Sequence, residues 1–177
     1  HAQDLACVSV CKKLSPKPNE TVLDICAAPG GKTFTLAEIM QNKGKVLACD
    51  LYEHRAGLIE EGAKRLGLDI VETKANDATQ KSDLGEFDKV LCDVPCSGLG
   101  ILRRKPDIKY KEITNFSELE EIQKKILSNA VTYVKNGGNI LYSTCTLRKN
   151  ENEEIVKAFL RDNAEFELEY EHTFLPH

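Results

Sequence analysis

Residues 24–33 read Asp24-Ile25-Cys26-Ala27-Ala28-Pro29-Gly30-Gly31-Lys32-Thr33, directly after the apolar run Thr21-Val22-Leu23. A short apolar run that breaks at a proline and two glycines, and resumes with helix-compatible residues, reads as a strand feeding a helix through a tight turn. Glycine in such a turn lets the backbone approach a ligand, and the helix N-terminus that follows favours a carboxylate or phosphate.

The pattern repeats on both sides of this stretch. Strands are expected at 21–25, 45–50, 69–73, 88–93, 139–143 and 166–170. Helices are expected near 3–14, at 32–42, and at 53–66 with a stop at Gly67. A further helix fits 117–135, opened by a capping box from Ser117 to Glu120 and closed by Asn136-Gly137-Gly138. The last covers 151–162, with Asn150 as its N-cap and Ile155, Val156, Phe159 and Leu160 as its buried stripe. Alternating strands and helices make an α/β fold, a mostly parallel sheet with helices on both faces. Ligands in such folds sit at the carboxyl ends of the strands. Asp24 to Gly31, Asp50, Asp77, Asp93 to Gly98 and Ser143 to Thr146 all fall there.

Composition narrows the class. The chain has 177 residues, 41% hydrophobic and 29% charged, which suits one globular domain and excludes a disordered tail. No run approaches the roughly 18 apolar residues of a membrane span, and the first residues lack the regions of a signal peptide. A soluble, cytoplasmic protein is expected, with no membrane partner. Seven cysteines, an odd number, several of them inside apolar runs, fit reduced thiols rather than a disulfide framework. The cysteine and histidine spacings do not form zinc knuckles, so no metal is expected. The net charge of −4 argues against non-specific polyanion binding by the whole surface. Residues 1–111 carry 17 Lys and Arg against 16 Asp and Glu, whereas residues 112–177 carry 7 against 12. A nucleic acid would therefore meet the first part, whose dense basic run is Arg103, Arg104, Lys105, Lys109 and Lys111.

Several residues carry chemistry. Gly31-Lys32-Thr33 matches the tail of a phosphate-binding P-loop, and Val90-Leu91-Cys92-Asp93 can imitate a Walker B strand. A nucleoside triphosphatase is thus one alternative, although Cys26 stands where the first P-loop glycine is required. Asp50 ends the second strand where nucleoside-binding folds place an acid against ribose hydroxyls, and Asp77 follows the third. The fourth and fifth strands deliver Asp93-Val94-Pro95-Cys96-Ser97-Gly98 and Tyr142-Ser143-Thr144-Cys145-Thr146, so two cysteines and an aspartate reach one pocket. Cys7, Cys11, Cys26, Cys49 and Cys92 read as small apolar fillers. The residues alone do not choose between Cys96 and Cys145 as nucleophile.

In this order, DICAAPGGKT, DVPCSGLG and YSTCT resemble the RNA cytosine-C5 methyltransferases of the Nop/Sun superfamily. Arg103 to Lys109 is similar to its bacterial 16S ribosomal RNA methyltransferase B (Sun/Fmu) branch. The resemblance covers nearly the whole chain. It implies a Rossmann-like class I fold that takes S-adenosylmethionine and methylates C5 of a cytosine in ribosomal RNA. Cys26, Ala27, Ala28, Pro29, Gly30, Gly31 and Lys32 would line the methionine end of the cofactor. Asp50, Asp77 and Asp93 would meet the ribose, the adenine and the junction between cofactor and cytosine. The resemblance makes Cys145 the nucleophile and Cys96 the thiol that helps release product. Asp93 would hydrogen-bond the ring and Lys32 would lower a thiol pKa or orient the ring. Arg103, Arg104, Lys105 and Lys109 would contact RNA. Relatives also carry an N-terminal NusB-like RNA-binding domain and a final strand. The chain is therefore expected to be an excised, monomeric catalytic domain, 1–177, with the last strand missing. A non-catalytic RNA-binding module is the remaining alternative.

Overall fold

The computed structural model describes residues 5–101 and 116–174. The basic residues Arg103, Arg104, Lys105, Lys109 and Lys111 lie outside the described residues. Helix α1 spans Leu5–Leu14, followed by β1 Thr21–Asp24, α2 Gly31–Ile39, β2 Lys45–Asp50, α3 Glu53–Leu66, β3 Val71–Ala75, β4 Phe87–Asp93, α4 Phe116–Ala130, β5 Val134–Ser143 and α5 Glu153–Asp162. Among the described residues the strands form one sheet in the order β3-β2-β1-β4-β5, with every neighbouring pair parallel. The Rossmann-like expectation holds.

Strand alternation sends side chains to opposite faces. Val22, Val46, Ala48 and Leu91 meet Leu36, Met40 and Ile59 of α2 and α3 on one face. Their neighbours Leu23, Leu47, Cys49, Val90 and Cys92 meet Ile126, Ala130 and Tyr133 on the other. Both faces are apolar, which is why the strands read as continuous hydrophobic runs. The chain passes from β3 across to β4 on the far side of β1, so the crevice for a ligand opens between the ends of β1 and β4.

Some boundaries differ from the sequence reading. Residues 166–170 form no strand; this segment runs along the sheet edge, where Glu169 accepts a bond from Asn139 and Lys13 lies over the Tyr170 ring. Alternation there was carried by glutamates that stay exposed. Ser117, expected to cap α4, lies within the helix, Phe116–Ala130, which stops five residues short of the expected end. Asn136-Gly137-Gly138 lies inside β5 rather than after a helix. Gly137 takes φ 75°, and the ladder slips from Phe87↔Val134 to Lys89↔Asn139, so the glycines form a bulge rather than a helix stop. The bulge lets Lys135 reach Asp88 at 2.9 Å. Strand β3 sits two residues later than expected, and α2 ends three residues earlier. Helix α5 starts at Glu153 behind a short 3-10 turn at Lys149–Glu151, with Asn152 rather than Asn150 at its head. Ile155 is buried, and Val156, Phe159 and Leu160 are half-buried.

Candidate active site

The turn after β1 is built as its glycines suggested. Gly30 adopts φ 104° and heads α2, its amide donating to Ala27 O at 2.8 Å and its carbonyl accepting from Phe34 N–H at 2.9 Å. A side chain is excluded there, since a Cβ on Gly30 falls 2.6 Å from the Phe34 ring. Asp24 is fully buried beneath this turn. Thr33 Oγ1 donates to its Oδ2 at 2.7 Å, while Oδ1 has no partner. Burial pushes its carboxyl up to about 7.

Lys32 leaves the first turn of α2 and donates to Asp93 Oδ2 at 2.6 Å, with both side chains largely shielded. Ser143 Oγ donates to the other oxygen, Oδ1, at 2.7 Å. Burial pulls the lysine's pKa down, but Asp93 outweighs it and the ammonium stays charged. Asp93, at the end of β4, is therefore a carboxylate fixed from two directions.

Beside this pair the two predicted cysteines meet. Cys96 Sγ and Cys145 Sγ are 3.1 Å apart, and the Cys145 N–H donates to Cys96 Sγ at 3.2 Å. The Cys145 carbonyl accepts from Gly100 N–H at 3.0 Å, where a Cβ would intrude to 2.8 Å from that oxygen. Cys145 is exposed and Cys96 half-buried. The bond shared with Cys96 lowers the Cys145 thiol to about 7, against burial and the Asp93 carboxylate, with Lys32 assisting. Cys96 is driven the other way, holding the proton because it faces a thiolate and is more enclosed. The 3.1 Å contact has no fixed donor, and the Cys145 N–H bond favours charge on Cys96, so the assignment of the nucleophile is left to the proposal below. The other five thiols are also free. Cys11, Cys49 and Cys92 are buried. Burial pushes Cys11 and Cys49 up to about 12, so they act as fillers.

Asp50 ends β2 almost buried. Its Oδ2 accepts from Ala28 N–H at 3.3 Å, and its Oδ1 from Tyr52 N–H at 3.3 Å and Arg55 at 3.2 Å. Arg55 also donates to Ala28 O at 3.3 Å, tying the glycine turn to β2. Asp77 accepts at Oδ1 from Thr79 N–H and Oγ1, at 2.9 and 2.7 Å, so it closes a turn and keeps only Oδ2 for a ligand. Next to it, buried Asn76 has an unpartnered Nδ2.

Sequence reasoning missed a second layer under the cysteines. Glu151, fully buried, receives Ser97 Oγ at 2.6 Å, Ser97 N–H at 2.9 Å, Gln123 Nε2 at 3.0 Å and Arg148 at 3.4 Å. Ser97 Oγ also lies 2.8 Å from Thr146 Oγ1. Asn152 holds the same loop, accepting from Thr144 Oγ1 at 2.6 Å and donating to Thr146 O and Arg148 O, both at 3.0 Å. Arg55 also escaped notice. An arginine five positions past a strand-end acid was the one available signal for it; Glu151 had none. Among the described residues no cluster of His, Cys, Asp and Glu holds a metal, and no helix is long and apolar enough to cross a membrane.

The chain is similar to known proteins over nearly its whole length. The probable ribosomal RNA small subunit methyltransferase B of Bacillus subtilis is 47% identical over 169 residues, covering 93% of this chain and 38% of that protein. The ribosomal RNA small subunit methyltransferase B of Proteus mirabilis is 38% identical over 178 residues, covering 98% of this chain and 42% of the relative. The crystal structure of NSun6 from Pyrococcus horikoshii with SFG superposes with a TM-score of 0.83 at 34% identity, covering 92% of this chain and 42% of that one. The chain thus spans about two fifths of the length of these relatives. The family model for the 16S rRNA methyltransferase RsmB/F matches residues 11–176, nearly the whole sequence, and the chain belongs to that family.

Proposed function

We propose that this chain is a catalytic core that transfers a methyl group from S-adenosylmethionine to C5 of a cytosine in small-subunit ribosomal RNA, with Cys145 forming a covalent bond to C6. The observation that carries this reading is the pair of thiols 3.1 Å apart beside the Lys32–Asp93 ion pair.

S-adenosylmethionine supplies an electrophilic methyl group, and the ends of β1 to β3 suit it. The Gly30 turn offers backbone without a side chain, Asp50 presents a carboxylate whose three bonds are all long, and Asn76 Nδ2 and Asp77 Oδ2 remain for a purine edge. Cys26 to Lys32 would hold the methionine end, Asp50 the ribose and Asp77 the adenine.

Cytosine C5 is a poor nucleophile until a thiolate adds at C6. Cys145, with a pKa of about 7, is ionised in a useful fraction at neutral pH. As its S–C6 bond forms, the electron pair of the C5–C6 double bond shifts towards C5 and N3. Asp93, held by Lys32 and Ser143, would accept from the exocyclic amine and, on taking a proton, donate to N3. Once Cys145 is a thioether, its charge no longer opposes ionisation of Cys96. C5 would then take the methyl group that S-adenosylmethionine supplies, the S–CH3 bond breaking to leave a neutral thioether. Cys96, its own proton released to solvent, takes the C5 proton, the S–C6 bond breaks, the C5–C6 double bond re-forms, and Cys145 leaves as thiolate. The target base must be unpaired or extruded for a thiol to reach C6, and on the sequence resemblance Arg103, Arg104, Lys105 and Lys109 are assigned to the RNA backbone. A triphosphatase reading is disfavoured by Cys26 at the first P-loop glycine position.

The test is denaturing-gel analysis of wild type, Cys96→Ala and Cys145→Ala incubated with small-subunit ribosomal RNA and S-adenosylmethionine, after calorimetry confirms cofactor binding for each. An RNA adduct that accumulates in Cys96→Ala and is absent in Cys145→Ala is expected. The reverse pattern makes Cys96 the nucleophile and overturns the assignment.

A further inference from the structure

Cys96 and Ser97 follow β4, and Cys145 and Thr146 follow β5. Their side chains form two adjacent rungs between the same two loops. One is the thiol pair at 3.1 Å, and the other is Ser97 Oγ to Thr146 Oγ1 at 2.8 Å. The second rung has a fixed proton direction. Ser97 has one hydroxyl proton, and at 2.6 Å from a carboxylate that can only accept, it points to Glu151 Oε1. Thr146 must then donate to Ser97, and Arg148 N–H donates to Thr146 Oγ1 at 3.3 Å. The chain of donors ends on Glu151.

Glu151 is an expensive way to fill this space. Burying a carboxylate costs several kcal/mol before its partners compensate, and apolar residues of the same size commonly serve as well. Its carboxylate partners come from three places: Ser97 after β4, Gln123 on α4 and Arg148 after β5. Gln123 Nε2 also holds Pro95 O at 2.9 Å, and Arg148 is itself braced by Glu120 at 3.2 Å and by the Phe116 ring. Tyr142 OH fixes the Glu151 backbone, donating to its carbonyl at 2.8 Å. Both loops that deliver a cysteine are therefore tied to one side chain that touches neither sulfur.

We propose that Glu151 is a positioning residue, whose buried carboxylate clamps the Pro95–Gly98 loop to the Cys145–Thr146 loop and so sets the separation at which the two thiols share one proton. The proposal rests on Cys145 being the nucleophile, and its test needs neither RNA nor methyl transfer. In Glu151→Gln the amide N–H₂ meets either the Ser97 N–H and Gln123 N–H₂ at one oxygen position, or Arg148 and a Ser97 hydroxyl that must turn round at the other, so one arm of the clamp loses its bonds or reverses them. Ser97→Ala removes the hydroxyl bond to Oε1 and the contact with Thr146 without altering the charge, and keeps the backbone N–H bond to Oε2. Lys32 and Asp93 face the thiols in every variant, so differences between variants report the clamp.

The experiment follows the rate of iodoacetamide alkylation of Cys145 against pH, read by peptide mass spectrometry, for wild type, Glu151→Gln, Ser97→Ala and the double variant. Calorimetric affinity for S-adenosylmethionine serves as the control for folding. Both single variants are expected to keep cofactor affinity while the Cys145 midpoint rises by about one unit or more. The rate at pH 7 then falls roughly twofold for a shift of one unit and sixfold for two, allowing for the greater nucleophilicity of a more basic thiolate. The double variant should shift no further than the larger single one, because both act through one bond. Glu151→Gln and Ser97→Ala that lower the melting temperature but leave the Cys145 profile unchanged would overturn the proposal and reduce Glu151 to a structural role. If Glu151→Gln does not fold, Ser97→Ala decides by the same criterion. A failed RNA adduct alongside a shifted profile would refute the methyltransfer reading and leave the clamp standing.

Discussion

A thiol that accepts a hydrogen bond from a second thiol does not titrate like a free cysteine. With Cys145 lowered to about 7, its alkylation by a neutral reagent should rise with pH around that value, well below the ordinary 9.0. Removing the donor in Cys96→Ala should move the midpoint back up towards 9.0, a shift that stopped-flow or mass-spectrometric rates will show. Asp24 makes the opposite kind of prediction. Its folded pKa of about 7 lies above the unfolded 3.8, so the native state binds the extra proton. The stability this contributes is full below pH 4 and is lost as pH rises through 7. Urea unfolding of wild type minus Asp24→Asn should therefore show a difference that falls with pH across this window, by at most about 1.4 kcal/mol per unit. A flat difference would refute it. At this scale the sequence was informative about the acids and cysteines at strand ends, because few residue types do that chemistry. It was silent on Glu151, which sits in the polar run Arg148 to Glu154 and looks like any first-turn glutamate.

Helix α2 is wedged against its neighbours by one ring. A Cβ on Gly30 comes to 2.6 Å from Phe34 Cζ, and one on Gly62 of α3 comes to 2.4 Å from the same atom. Gly30→Ala and Gly62→Ala should each cost about 1–3 kcal/mol in chemical denaturation. Gly57, on the same helix with nothing within 4 Å, should gain about 0.5–1 kcal/mol as alanine. Equal effects at Gly57 and Gly62 would sink this account of the packing. The elements themselves were legible to different degrees. Helix α3 matched its expected range, because a 3.6-residue apolar period ended at Gly67 in the left-handed conformation. Strand β5 was misjudged because Asn136-Gly137-Gly138 serves a bulge and a helix stop equally well in one dimension. Only pairing with β4 decides which.

Over the whole molecule, the crevice lies where strand order reverses between β1 and β4, and most of the site is assembled from the loops around it. Ligand binding there should stabilise the entire domain. S-adenosylmethionine at a hundred times its Kd is worth about 2.7 kcal/mol. Calorimetric melting should show this upward shift in wild type and lose most of it in Asp50→Ala. An undiminished shift in that variant would place the cofactor elsewhere. The fold class was readable because both faces of the sheet are covered and the central strands β1, β2 and β4 are largely apolar. The juxtaposition of 96 with 145 was readable only through the rule that strand ends converge. That convergence has a history in time. Among the described residues every ladder is parallel and no two strands pair by a simple hairpin; Thr21 bonds Asp88 across 67 positions, and Cys96 waits 49 residues for Cys145. During translation at roughly 5–20 residues per second, Cys96 emerges some 2–10 seconds before its partner is even synthesised. The nascent chain thus carries only ordinary thiols, and the reactive one comes into being last, when β5 docks and closes the sheet.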